Sequence, residues 1–256
     1  MTEKSEFKAQ PIIEHIRELK KRLIYCLLAF FLATGISYYF AENIYSFLVQ
    51  PLADVFPDLS HRRLIYTSLT EAFLTYIKLA LFAGFFISFP VIATQLYLFL
   101  APGLYKQERR ALVPYLIAAP TLFLIGAAFV YYLIFPAAWK FFLGFESSGA
   151  NGGLPIQLEP KVSDYLSLSM HLMVAFGLSF QLPIVLILLV RSGMVQLSTL
   201  KNGRRYAIVM IVIVAAFITP PDIFSQIALS VPLYMLYEMT ILLCRNMDKN
   251  SEILED

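Results

Sequence analysis

Residues 112–135 and 165–190 contain no Asp, Glu, Lys or Arg, and each is long enough as a helix to cross the roughly 30 Å hydrocarbon core of a bilayer. Similar apolar runs recur at 23–41, 73–100, 206–218 and 224–244. Hydrophobic residues make up 59% of the 256 and charged residues 15%, against roughly 45 to 50% and about 25% in soluble domains. That is more apolar side chain than a soluble core of this length encloses. In lipid the backbone must satisfy its own hydrogen bonds, so these runs read as helices and the chain as an all-α polytopic membrane protein with six transmembrane helices. The first run follows a charged tail and ends without a small-residue cleavage site, which predicts a retained anchor.

Lys and Arg set the orientation. Fifteen lie in the tail (Lys4, Lys8, Arg17, Lys20, Lys21, Arg22), the second loop (Lys106, Arg109, Arg110), the fourth loop (Arg191, Lys201, Arg204, Arg205) and the C-terminus (Arg245, Lys249). The other side holds four, Arg62, Arg63, Lys140 and Lys161. The excess predicts cytosolic N- and C-termini. The expected division is a cytosolic amphipathic segment 1–22, a single six-helix membrane domain 23–245 and a cytosolic tail 246–256. Because the cations sit at membrane boundaries and the net charge is only +2, no nucleic-acid partner is expected.

Proline interrupts nearly every span after the first, at Pro90, Pro114, Pro120, Pro136, Pro183 and Pro232, and predicts a curved, kinked bundle. The fifth run, 206–218, rises only about 20 Å as a helix. It ends in Thr-Pro-Pro-Asp and the sixth follows at once, so the last two spans are expected to be short. Loops 42–71 and 140–164 should form an outer cap, with the apolar stretch 44–52 as a short helix over the bundle.

Enzymatic chemistry finds little support. His15, His61 and His171 are far apart, and Cys26 and Cys244 show no metal spacing, so neither a metal site nor a cofactor is expected. Spans five and six contain no histidine to pair with a serine nucleophile, and the chain reads as no enzyme.

Polar groups inside the spans are costly unless satisfied or used. Lys78 is placed to snorkel towards the outer interface, and Glu238 is expected to pair with a base at the cytosolic edge. Met170, Val174, Gly177 and Gln181 share one helical face, either as a packing seam or as a polar contact for another helix. In the tail, Ile12, Ile16, Leu19 and Leu23 form the apolar face of a helix running into span one, and Glu18 can pair with Arg22 one turn on. Glu108 stands among three cations between spans two and three, where it either caps the next helix or meets a cationic partner.

The sequences at 14–23 (Glu-His-Ile-Arg-Glu-Leu-Lys-Lys-Arg-Leu), 99–110 (Phe-Leu-Ala-Pro-Gly-Leu-Tyr-Lys-Gln-Glu-Arg-Arg), 175–183 (Ala-Phe-Gly-Leu-Ser-Phe-Gln-Leu-Pro) and 219–226 (Thr-Pro-Pro-Asp-Ile-Phe-Ser-Gln) resemble, in order, the motifs of the TatC family of twin-arginine protein translocases. The resemblance covers about residues 10 to 245. It implies a bacterial inner-membrane receptor for twin-arginine signal peptides, the core subunit of an oligomeric translocase that works with TatA and TatB to export folded cargo using the proton-motive force. By motif, Glu18 and Glu108 would meet the signal arginines, with Lys20, Leu23, Phe99 and Lys106 in the same cytosolic patch. Pro51, Asp222 and Gln226 would be sensitive outer-side positions, and Gln181 with Met170 would mark the site in span four that partner helices approach. Position 20 is Lys where several relatives carry Arg, and position 181 is Gln where others carry Glu.

Two acids at one surface suit an arginine pair, because a guanidinium presents a planar fork to a carboxylate whereas Lys is a point charge. The alternative is a secondary transporter for a small cationic or peptide solute, to which proline-broken spans with Lys78, Gln181 and Glu238 would also be suited.

Overall fold

The computed structural model describes residues 12–56, 62–100, 113–147, 154–219 and 223–255. In chain order the helices are α1 (Ile12–Tyr39), α2 (Ala41–Ala53), α3 (Glu71–Leu100), α4 (Val113–Phe129), α5 (Phe135–Leu143), α6 (Val162–Ser179), α7 (Leu182–Arg191), α8 (Leu197–Asn202), α9 (Arg204–Ile218) and α10 (Ile223–Glu255). Among the described residues the only β pairing is two isolated bridges, Ile65 with Lys161 and Ser147 with Ile156.

Among the described residues, five helical stretches are long and apolar enough to cross a membrane: Ile16–Tyr39, Glu71–Phe99, Pro114–Leu143, Val162–Arg191 and Gln226–Asn246. The run expected to be the fifth crossing is α9, whose 15 residues rise about 22 Å. The sixth expected run lies in α10, whose candidate crossing, Gln226–Asn246, has 21 residues against 24 to 30 in the other four. With no Pro or Gly after Pro232 to stop it, α10 continues for 33 residues, well past its apolar part.

The prolines act in two ways. Pro90, Pro120 and Pro232 lie inside helices, whereas Pro114, Pro136 and Pro183 sit in first turns, where a missing N–H is tolerated. Pro136 would orphan the carbonyl of Tyr132 in a regular helix. The chain instead widens into a single π-turn, Val130–Ile134, closed by the Phe135 amide on the Val130 carbonyl.

Helices α1 and α3 are antiparallel, as shown by contacts of Arg22 with Gln95 at one end and of Thr34 with Gly84 further along. A β-carbon at position 84 would come within 2.8 Å of the Thr34 Cα, so glycine lets the two backbones meet there. The same device joins α4 to α6: Gly126 faces the Phe176 carbonyl and Gly177 faces the Phe123 ring. The outward side of α1 remains apolar and exposed, as a lipid-facing surface would be, with Phe31 and Leu32 more than half accessible.

The cap follows the expected plan. Helix α2 buries Leu48, Pro51 and Leu52 against the bundle, and Tyr165 donates to the Leu48 carbonyl at 2.7 Å. The segment before α3 pairs with the start of α6 through Val162 N to Ile65 O at 2.8 Å. Glu71, buried at 7% exposure, ties both together by accepting from the Thr67 amide at 2.9 Å and the Ser163 amide at 3.2 Å, with Lys161 Nζ at 3.7 Å.

Candidate functional site

Of the expected site residues, Lys106, Glu108 and Asp222 lie outside the described residues. The others fall into three places.

The first is the paired ends of α1 and α3. Glu18 and Arg22 are one turn apart, and Arg22 Nε donates to Glu18 Oε1 at 3.0 Å while Nη2 donates to the same oxygen. The third guanidinium nitrogen, Nη1, donates to Gln95 Oε1 on α3 at 3.3 Å. The expected i,i+4 pair is therefore present and is bound to a second helix. Both side chains stay partly open, Glu18 at 27% and Arg22 at 20%.

Phe99 follows Gln95 by one turn of α3, and Glu18 precedes Arg22 by one turn of α1. Since the helices are antiparallel, Glu18 and the half-buried Phe99 lie at the same level. Lys20 and Leu23 occupy exposed faces of α1, Leu23 continuing the outward apolar stripe of Ile16 and Leu19. At the neighbouring end of α4, the Arg191 guanidinium from α7 lies 5.8 Å above the Tyr115 ring. The arrangement is chemically a carboxylate already paired with one guanidinium, beside an aromatic ring and flanking cations.

The second place is span four, which is not one helix. It breaks between Ser179 and Leu182, because Pro183 has no amide to continue the ladder. Gln181 sits in the break, and its Nε2 donates to the Ala119 carbonyl of α4 at 2.9 Å. Its Oε1 accepts no hydrogen bond among the described residues. The stripe leading to it is a seam: Met170 is 8% exposed in the core, and Gly177 is covered by Phe123. Met170 therefore packs inside the bundle from α6, the packing-seam alternative of the sequence reading.

The third place is at the opposite end of the bundle. Pro51 is buried in α2, and Gln226, in the first turn of α10, donates to the Val212 carbonyl of α9 at 3.3 Å. The other end of the same hairpin is held by Arg204, with Nε on Glu238 Oε1 at 2.8 Å and Nη2 on Oε2 at 2.9 Å, while Tyr234 also donates to Oε1 at 2.9 Å. Glu238 has the basic partner expected of it. Lys78 is exposed.

Two residues escaped sequence reading. Gln95 is an uncharged side chain in an apolar run, and nothing in the periodicity marks it. Glu71 precedes an apolar run as many helix-capping acids do, so the only available signal was its place in the first turn.

A family profile described as "Sec-independent protein translocase protein (TatC)" matches residues 14–232. The TatC protein of Rickettsia prowazekii (strain Madrid E) is 48% identical over 231 residues, which span 90% of this chain and 91% of that one. The TatC of Escherichia coli (strain K12) is 39% identical over 92% of this chain and 88% of its own. A crystal structure described as the twin-arginine translocase receptor TatC superposes with a TM-score of 0.76 at 37% identity, covering 90% of this chain and 98% of that one.

Proposed function

The chain belongs to the TatC family of Sec-independent protein translocase proteins, and from that membership we propose that it is the receptor for twin-arginine signal peptides and the core of a translocase for folded proteins. The observation that carries this reading is the Glu18 carboxylate, which already accepts two N–H groups of a guanidinium at a partly open helix end. An incoming arginine needs the same carboxylate as its acceptor. Phe99 at the level of Glu18 offers an apolar face beside the charge, and the exposed Lys20 disfavours peptides that are merely basic.

In this reading Glu108 supplies the second carboxylate, with Lys106 beside it in the loop that joins α3 to α4. The α1 and α3 ends face the cytosol, and six helices cross a bacterial inner membrane, α9 as a short fifth crossing. TatA and TatB are the partner subunits, approaching near Gln181, whose Oε1 remains available. Pro51, Asp222 and Gln226 act on the outer side, with Pro51 buried in the cap helix and Gln226 joining α10 to α9.

The test is site-specific crosslinking of a twin-arginine precursor to the membrane complex in Glu18→Ala, Glu108→Ala and the double variant. Each single change should reduce crosslinking, and the double change should abolish it. Undiminished crosslinking in all three would refute the receptor reading.

A further inference from the structure

The acceptor proposed for the signal arginine is not vacant. Arg22 places Nε and Nη2 on one oxygen of Glu18, Oε1, and leaves Oε2 without a hydrogen bond among the described residues. Its remaining nitrogen, Nη1, is held by Gln95 from the neighbouring helix. A guanidinium arriving from outside prefers both oxygens of a carboxylate, so it can begin on Oε2 but completes its fork only when Arg22 gives up Oε1.

We propose that Arg22 is an internal competitor, a resident guanidinium that occupies the arginine site of this chain until a signal peptide displaces it. The inference rests on the receptor reading above. Three features fit a competitor better than a fixed brace. The pair is partly open, at 27% and 20% exposure, so a ligand can reach it. An i,i+4 ion pair of this kind is weak enough to exchange. Gln95 gives the displaced side chain a second acceptor, so Arg22 need not move into lipid when it leaves Glu18.

The consequence is a threshold. While Arg22 holds Glu18 the pair is neutral and attracts stray cations weakly. Full pairing with Glu18 requires Arg22 to yield, and until it does its charge opposes any cation at Oε2, so apparent affinity falls by a comparable factor for arginine and lysine peptides alike. Weak ligands then drop below their working concentration, while a peptide with two arginines and an apolar segment still binds.

The experiment measures binding of two fluorescent peptides, one carrying the arginine pair and one with both replaced by lysine, to the full chain in lipid nanodiscs. Arg22→Gln should raise affinity for both peptides by roughly three- to sixfold, with the ratio between them unchanged. In a Glu18→Gln background, Arg22→Gln should have no effect, because the competitor has lost its target. Unchanged or weaker binding in Arg22→Gln, or an equal rise in the Glu18→Gln background, would overturn the proposal. Should Arg22→Gln fail to insert, Arg22→Lys keeps the charge and decides the matter: a rise of about twofold supports competition, and no rise overturns it. Glu18→Ala with each peptide separates the two readings, since loss of binding there upholds the receptor whatever Arg22 does.

Discussion

The Tyr131 hydroxyl donates at 2.8 Å to the carbonyl of Phe47, the carbonyl that Pro51, four residues on in α2, has no amide to satisfy. The Phe47 and Tyr131 rings also stack, with centroids 4.4 Å apart and planes 3° from parallel. A proline within a helix thus creates a vacancy that a side chain from the π-turn fills, and the cap is fastened to the bundle by the defect in its own backbone.

Replacing Tyr131 by Phe should therefore cost about 1 to 3 kcal/mol, because it strands a half-buried carbonyl. Pro51→Ala restores a backbone donor to that carbonyl, so the double variant should lose less than the two single changes added together. Thermal unfolding of the four proteins in detergent measures the coupling, and strict additivity would disprove the account of Pro51.

Gly177→Ala puts a methyl group 2.6 Å from Cε2 of Phe123, and that ring is itself stacked on Phe89 with centroids 3.8 Å apart. The ring has little room to retreat. The expected loss is about 1 to 3 kcal/mol, read as a lower melting temperature. Gly35, whose β-carbon would meet nothing within 4 Å, is the control that should tolerate alanine.

Gln181→Leu removes an amide that donates to the Ala119 carbonyl, an acceptor placed to keep its own donor within α4, so the loss should stay near 1 kcal/mol. Gln181→Glu keeps a donor for that carbonyl only as the protonated acid; ionised, it sets acceptor against acceptor. Its melting temperature should fall relative to the natural protein's as pH rises, and a pH-independent difference would contradict this geometry.

Glu146 fastens the cap at its other corner. The Arg62 guanidinium, donating to Oε2 at 2.7 Å, and then the Leu158 amide hold its carboxyl down to about 2, from an ordinary 4.5. A depressed carboxylate stabilises the fold above the unfolded value, and that stabilisation disappears as pH falls from about 4.5 towards 2. Trp139, the only tryptophan, lies against Phe142 and Tyr165 beneath the cap and reports on it. Its emission should change across that acid range in the natural protein, and the change should be smaller in Glu146→Gln.

Much of this was legible because lipid imposes one demand on each span. The long apolar runs became the spanning helices, and the Glu18–Arg22 pair followed from i,i+4 spacing alone. Spacing was silent where a contact joins distant segments: Gln95 reaches Arg22 across 73 positions, and Glu71 meets Ser163 across 92. The Met170 stripe left a packing seam and a helix contact both open because period gives a face but not its neighbour, and the close approach at Gly177 shows α4 against that face. Pro183 did announce the break in span four, yet its effect on Gln181 depended on a carbonyl from another helix.

The π-turn at Val130–Ile134 has one more effect. Tyr131, Phe135 and Trp139 recur every four residues, with ring centroids 6.4 Å and then 5.7 Å apart. In a regular helix each step of four overshoots a full revolution by about 40°, so the third ring would be roughly 80° out of line with the first. The wide turn holds extra residues in one revolution and resets the phase, keeping the three rings in file beneath the cap. The ladder of rings is thus indexed to a single supernumerary residue. Deleting one position there would leave the composition of the span intact while turning every side chain after it, Trp139 included, away from the neighbour it now meets.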